Sequence, residues 1–213
     1  MHQLHVLTKE HWFPDVKDAQ EDGLLAIGGD LHPDRIILAY QKGIFPWFSG
    51  QDPLWWSPDP RFVLFPSKVR TSHSMRSLFK KQAFKVTLNQ NFLAVIHSCA
   101  SIERMGQNGT WILPEIVESY HILHQKGFAH SIEVWENNEL VGGLYGILVG
   151  KVFCGESMFS KVANASKYGF IQLCQMLQEK GVLLIDCQVH THHLESLGAE
   201  WMSRHEFIKY LSK

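Results

Sequence analysis

The chain has 213 residues, of which 45% are apolar and 19% charged, and its formal net charge is −1. That composition fits one large globular domain or one domain with a small appendage, and it excludes an intrinsically disordered chain. No apolar run approaches the roughly 18–20 residues of a membrane span, and Met1–Glu10 lacks the apolar stretch of a signal peptide.

Residues 1–60 read as irregular structure around one helix over 33–42, with Pro33 in its first turn and Gly43 behind its end. Prolines 46, 53, 58 and 60 forbid a helix further on. GIFPWF (43–48) and LWWSPDPR (54–61) place Trp47, Trp55 and Trp56 in loop-like sequence, where a tryptophan either packs in a core or stacks on a nucleobase. Met75, Leu78 and Phe79 have helical spacing within 71–83, with Arg76, Lys80 and Lys81 on the opposite face. Asn89 caps a helix reaching Cys99, and Pro114 opens another that ends at Gly127. The period then changes. His130–Trp135 and Leu140–Val149 form a hairpin about Asn137-Asn138, and Lys151–Phe159 is a third strand. Asn164–Lys180 is a helix closed by Gly181, Val182–Val189 a strand, and Ser203 with Glu206 a capping box before the last helix. The expected fold class is α+β, with a small N-terminal domain over 1–60 and a larger domain over 61–213. The larger domain's element order resembles the GNAT (acyl-CoA N-acyltransferase) architecture, whose splayed sheet offers backbone edges to an acyl donor.

Charge is unevenly spread. Residues 60–102 hold seven Lys/Arg and no carboxylate, whereas the flanking segments are acidic. A local positive field of this kind points to a polyanion partner, against the plainer reading of a solvated helix face. Lys68, Arg70, Arg76, Lys80, Lys81 and Lys85 are the candidate phosphate-binding residues. The four cysteines (Cys99, Cys154, Cys174, Cys187) lack CxxC spacing and read as buried free thiols in a reducing compartment. In VLLIDCQV (182–189), strand alternation puts Asp186 and Gln188 on one side. An Asp among Leu, Ile and Cys needs either backbone partners or a chemical role. Glu156, in CGESMFS (154–160), repeats the theme, and two such carboxylates could orient or deprotonate an amine. His190, His192 and His193 lack a cysteine or carboxylate at zinc-site spacing, and His121 and His124 lack the acid of HExxH, so no metal site is expected. Ser57, Ser157 and Ser160 lack GxSxG context, and no P-loop or dinucleotide fingerprint occurs.

GLLAIGGDL (23–31), AYQKGIFPWFS (39–49), WWSPDPR (55–61), GTW (109–111), AHSIEVW (129–135), FCGESMFS (153–160), NASK (164–167) and LIDCQV (184–189) together resemble, in order and through nearly the whole chain, the leucyl/phenylalanyl-tRNA–protein transferase family. The resemblance implies a small N-terminal domain joined to a GNAT-like domain. It implies transfer of Leu or Phe, and less so Met, from aminoacyl-tRNA to a protein with N-terminal Arg or Lys, marking it for N-end rule degradation. It also implies an apolar aminoacyl pocket of Leu144, Phe153, Met158, Phe170, Leu173 and Ile185, with the terminal adenosine near Trp47 and Trp111. Asp186, Gln188 and Glu156 would serve the reaction, without metal, CoA or ATP, in a cytoplasmic monomer with no membrane partner. The chain departs from the family pattern at His190-Thr191-His192, where Leu-Asn-Asp is usual. Two rivals remain at this point. An acyl-CoA-dependent transferase would need a glycine-paired pyrophosphate loop, which Lys161–Gly169 lacks. A non-catalytic RNA-binding module would leave Glu156, Asp186 and Gln188 without a role.

Overall fold

The computed structural model describes residues 4–102 and 110–212; Gly109 of the GTW string lies outside them. A four-stranded sheet occupies the N-terminal part. It joins β1 (His5–Leu7), β2 (Leu24–Gly28), β3 (Phe45–Pro46) and β4 (Leu54–Trp56) in the order β1-β2-β4-β3. Helix α1 (Pro33–Gln41) lies between β2 and β3 in the chain. The sequence reading anticipated α1 and missed the sheet. Its strands are two to five residues long, too short to display an alternating pattern. Pro46 sits in the edge strand β3, where proline is tolerated because one side of the strand makes no ladder bond. Trp55, on β4, is buried, and its Nε1 donates to the Gly28 carbonyl at 2.9 Å.

The second sheet has seven strands in the order β11-β5-β10-β9-β8-β7-β6. These are β5 (Arg61–Leu64), β6 (Lys85–Leu88), β7 (Ala129–Glu136), β8 (Glu139–Val149), β9 (Val152–Ser160), β10 (Leu184–Gln188) and β11 (Glu200–Met202). The β7–β8 hairpin turns at Asn137 and Asn138, whose φ angles of 51° and 66° belong to a primed turn. Among the described residues six further α-helices follow α1: α2 (His73–Lys80), α3 (Phe92–Ser101), α4 (Pro114–Gln125), α5 (Ala165–Glu179), α6 (His192–Ser196) and α7 (Arg204–Leu211). The elements expected over 71–83, 114–127, 164–180 and 130–159 are all present with small shifts at their ends. The cap expected at Asn89 is at Asn91, whose side chain accepts from Ala94 N at 3.2 Å. Ser203 Oγ accepts from Glu206 N at 3.2 Å, as the capping box requires. Strands β5, β6 and β11 and helix α6 were not anticipated.

Alternate residues of the large sheet feed two cores. Val63, Tyr145, Cys154 and Leu184 join α1, α3 and α4 on one face; Phe62, Leu64, Leu144, Phe153 and Ile185 join α5 on the other. The first core also takes in Leu25, Ala26, Phe45 and Trp55, so the small N-terminal sheet packs into the same apolar mass. All four cysteines are buried thiols. Among the described residues, no helix is long and apolar enough to cross a membrane.

One irregularity positions the candidate functional site. Strands β9 and β10 run parallel but pair only where Leu184, Ile185 and Asp186 face Val152, Phe153 and Cys154. Just beyond, both strands bulge. On β9 the partner register jumps from Gly146↔Gly155 to Tyr145↔Ser157, leaving Glu156 as the extra residue. On β10 it jumps from Asp186↔Val63 to Gln188↔Phe62, leaving Cys187 extra, and Gln188 takes a φ of +63°. Bulges bend a strand and re-aim its side chains. Two of them at the same level let the parallel pair diverge, which is the splayed sheet that the element order led us to expect.

Candidate active site

A cavity of about 550 Å³ fills the opening between β9 and β10. Its apolar part is built by Leu144, Phe153, Phe170 and Ile185, each no more than 3% exposed, with Met158 half-buried beside them. Gly146 on β8 makes room for this arrangement. A Cβ there would stand 2.6 Å from the Phe153 ring and 2.3 Å from the Cys154 carbonyl oxygen. Five of the six pocket residues expected from the sequence therefore line one cavity. Leu173 does not; it is buried in the α5-side core among the packing residues. Trp47 and Trp111 both line the cavity, and Trp47 keeps 43% of its surface exposed. Trp56 Nε1 donates to the Trp47 carbonyl at 2.6 Å and steadies that corner. The three early tryptophans thus divide: Trp55 is core, Trp47 faces the cavity, and Trp56 buttresses Trp47.

The polar side of the cavity is a connected network. Asp186, fully buried, is gripped by Arg61, whose Nε and Nη2 donate to its two carboxylate oxygens at 2.8 and 2.7 Å. Arg61 is buried as well, donates from Nη1 to the Gly43 carbonyl at 3.2 Å, and lies between the rings of Phe45 and Phe207 at 4.7 and 4.8 Å. The planar guanidinium fork suits such bidentate capture. Gln188 links the two carboxylates. Its backbone N donates to Asp186 Oδ1 at 2.9 Å, and its side-chain amide to Glu156 Oε1 at 2.8 Å. Glu156 Oε2 accepts from the Tyr120 hydroxyl at 3.1 Å, and Tyr120 shares a 2.6 Å hydrogen bond with Tyr40. Burial pushes the Glu156 carboxyl up to about 7, with a further push from the Asp186 charge, against the hydrogen bonds that favour its ionised form. Burial likewise raises both tyrosines well above their ordinary range, so they stay protonated donors.

The sequence reading has Asp186 accept a hydrogen bond from an incoming amine; in the structure Asp186 accepts from Arg61 and from the Gln188 backbone instead. Arg61, Tyr40 and Tyr120 were not singled out from the sequence. The acid-free context of Arg61 drew attention to surface charge, while its place in β5 next to β10 could be seen only in the fold. His193 was also missed as a cavity residue: its Nε2 is buried without a partner, and burial lowers its pKa, favouring the neutral ring.

The six candidate phosphate-binding residues are all exposed. Arg76 and Lys80 lie on α2, Lys81 directly after it, and Lys85 at the start of β6. Lys68 meets Glu200 at 3.3 Å; among the described residues the other five form no ion pair. The histidine run after β10 departs from expectation in one respect. Glu195, one helical turn past His192, brings a carboxylate oxygen to His190 Nε2 at 3.0 Å and to His192 Nδ1 at 3.5 Å.

Residues 63–212 match the family model of leucyl/phenylalanyl-tRNA protein transferase, and residues 29–59 match the model of that family's N-terminal domain. Proteins named leucyl/phenylalanyl-tRNA–protein transferase are similar over almost the full length. The one from Christiangramia forsetii is 57% identical, covering 98% of this chain and 100% of its own. That from Flavobacterium johnsoniae is 55% identical over 98% and 99%, and that from Pseudomonas fluorescens 55% over 94% and 90%. Among solved structures, an aminoglycoside acetyltransferase from a soil metagenome matches 62% of this chain and 90% of its own at 14% identity and a TM-score of 0.42. Near-complete coverage at such identity, together with matches to both family models in chain order, leaves one assignment: this chain belongs to the leucyl/phenylalanyl-tRNA–protein transferase family.

Proposed function

We propose that the protein moves Leu or Phe, and less readily Met, from aminoacyl-tRNA to the α-amino group of a protein's N-terminal Arg or Lys, marking that protein for N-end rule degradation. The observation that carries this reading is one cavity whose lining combines the apolar side chains of Leu144, Phe153, Met158, Phe170 and Ile185 with Trp47, Trp111 and Glu156, a carboxyl that burial pushes up to about 7. Leu144, Phe153, Met158, Phe170 and Ile185 take the aminoacyl side chain. Trp47 and Trp111 receive the terminal adenosine by stacking. The basic surface from Lys68 to Lys85 tracks the acceptor-stem phosphates.

The tRNA ester is already activated, so the protein supplies no nucleophile. The acceptor α-amine attacks the ester carbonyl, the new amide bond forms, and the bond to the 3′-oxygen breaks. One ammonium proton leaves before attack and one returns to the departing 3′-oxygen. Glu156 accepts the first proton in this reading: its carboxyl, pushed up to about 7, lies close to an α-ammonium at about 7.7–8.0, which makes the proton exchange nearly balanced. Asp186 acts through Gln188. Clamped by Arg61, it holds the β10 bulge so that the Gln188 amide meets Glu156. Holding the two substrates in line draws on the roughly 7–11 kcal/mol that orientation can contribute.

The test is transfer of labelled Leu from Leu-tRNA to an Arg-initiated peptide, with acetyl-CoA as the competing donor. Label in the peptide is the expected result. Acetyl transfer with no leucyl transfer would overturn the reading.

A further inference from the structure

The segment between β10 and α6 carries a cluster that aminoacyl transfer does not use. His190 lies two residues past the end of β10, and His192 and Glu195 lie on the first turn of α6. The candidate ligand atoms of all three residues lie within 4.8 Å of one another, and Glu195 Oε2 stands 3.0 Å from His190 Nε2 and 3.5 Å from His192 Nδ1. Zinc takes imidazole nitrogen and carboxylate oxygen at roughly 2.0–2.2 Å, so neighbouring ligands of a tetrahedral site lie about 3.3–3.6 Å apart. The two observed separations fall close to that spacing. Small side-chain adjustments would open room for an ion at the centre.

We propose that His190, His192 and Glu195 form a binding site for one divalent transition-metal ion of the zinc class, with solvent in the remaining position. Two imidazoles and a carboxylate suit such an ion, whereas magnesium and calcium require mostly oxygen ligands. Part of the site is already ordered. The His190 ring is stacked on Trp201 at 5.8 Å and meets the edge of Phe62 at 5.0 Å. Thr191 Oγ accepts from Leu194 N at 3.2 Å, fixing the helical turn that sets Glu195 behind His192. The rest must be immobilised on binding, since the His192 side chain is 96% exposed and that of Glu195 58%. The site is therefore reversible rather than a permanent structural one. Thr191, His193 and Leu194 line the cavity, so an ion bridging strand end and helix would tie down that wall. The inference stands independently of the identity of the transferred group.

The experiment is calorimetric titration of the whole chain with zinc chloride, read in parallel by the fluorescence of Trp201, with Trp201→Phe identifying that residue's share of the signal. The expected result is one ion per chain, altered Trp201 emission, and at least tenfold weaker binding in both His192→Ala and Glu195→Gln, with no response to magnesium. Both substitutions are at exposed positions and leave the core intact. Zinc binding equally well to both variants would place the ion on others of the 13 histidines and overturn the proposal. Absence of both heat and fluorescence change in the unaltered protein would overturn it equally.

Discussion

The Arg61–Asp186 pair offers the sharpest test of how the site is held. Both side chains are at most 1% exposed, and their two hydrogen bonds measure 2.8 and 2.7 Å. Replacing Arg61 by Met would leave a buried carboxylate facing no cation, deprive the Gly43 carbonyl of the donor at 3.2 Å, and remove the charge held between Phe45 and Phe207. Removing one partner of such a pair costs about 3–5 kcal/mol, a large share of a total stability of about 5–15 kcal/mol. Asp186→Asn should cost a similar amount, because it strands the guanidinium. The double variant strands neither charge and should cost less than the sum of the two, by roughly 1–3 kcal/mol. Urea denaturation followed by tryptophan fluorescence measures all three, provided the denaturant slope is unchanged. Single costs below about 1 kcal/mol, or a double variant that is simply additive, would refute the reasoning. The same variants separate anchor from base. An Asp186 that met the amine directly would be freed in Arg61→Met and keep transfer going in the folded fraction. An anchoring Asp186 predicts that transfer falls, because Gln188 loses its placement.

With Glu156 near 7, its proton-accepting form is gained as pH rises, so transfer should increase through pH 7 and Glu156→Gln should flatten that limb and lower the plateau; an unchanged midpoint in the variant would rule Glu156 out. Reversing Arg76 and Lys80 to Glu should raise KM for tRNA, flatten its salt dependence and spare peptide affinity; the check is KM against potassium chloride concentration. The cavity should reject Ile and Val although they match Leu in hydrophobicity, because a β-branched side chain cannot rotate its second substituent away. Phe153→Ala and Met158→Ala should each cut Leu and Phe transfer by about ten-fold or more, since each removes apolar contact worth roughly 1–3 kcal/mol per methylene-sized change. Comparison of Leu-, Phe-, Ile- and Val-charged tRNA measures both effects.

Much of the large domain could be read from periodicity. The β7–β8 hairpin announced itself through Asn137-Asn138, α5 through its apolar spacing and Gly181, and α7 through Ser203 and Glu206. These signals are local, and local chemistry decides them. The N-terminal sheet was hidden because its strands are shorter than the pattern that would reveal them. At the site, strict alternation was the wrong rule. It assigned Asp186 and Gln188 to one strand face, but both β9 and β10 bulge there, and a bulge depends on the partner strand's register as well as on the bulged residues. Leu173 was misplaced for a related reason: apolar spacing on α5 marks the buried side of the helix, and only the sheet opposite decides which buried residues meet empty space. Arg61 could not be paired with Asp186 from sequence, being separated from it by 125 positions.

The seam between the small sheet and the large one runs through the chemistry itself. Tyr40 belongs to α1, the Gly43 carbonyl and Phe45 follow it, and Trp47 closes one corner of the cavity, all within the first sixty residues. Each touches a group whose task lies on the other side: Tyr40 the Tyr120 hydroxyl, Gly43 and Phe45 the Arg61 guanidinium. Cutting the chain at the sequence boundary between the two sheets would therefore split a working part rather than release one. A fragment starting at Arg61 would keep all seven strands of the large sheet, yet it would expose to water the guanidinium, the far side of the tyrosine pair and one wall of the cavity. The N-terminal unit is a half-mould of the candidate active site, and exchanging it for one of different shape would alter the proton equilibrium of Glu156 without changing any residue of the larger domain.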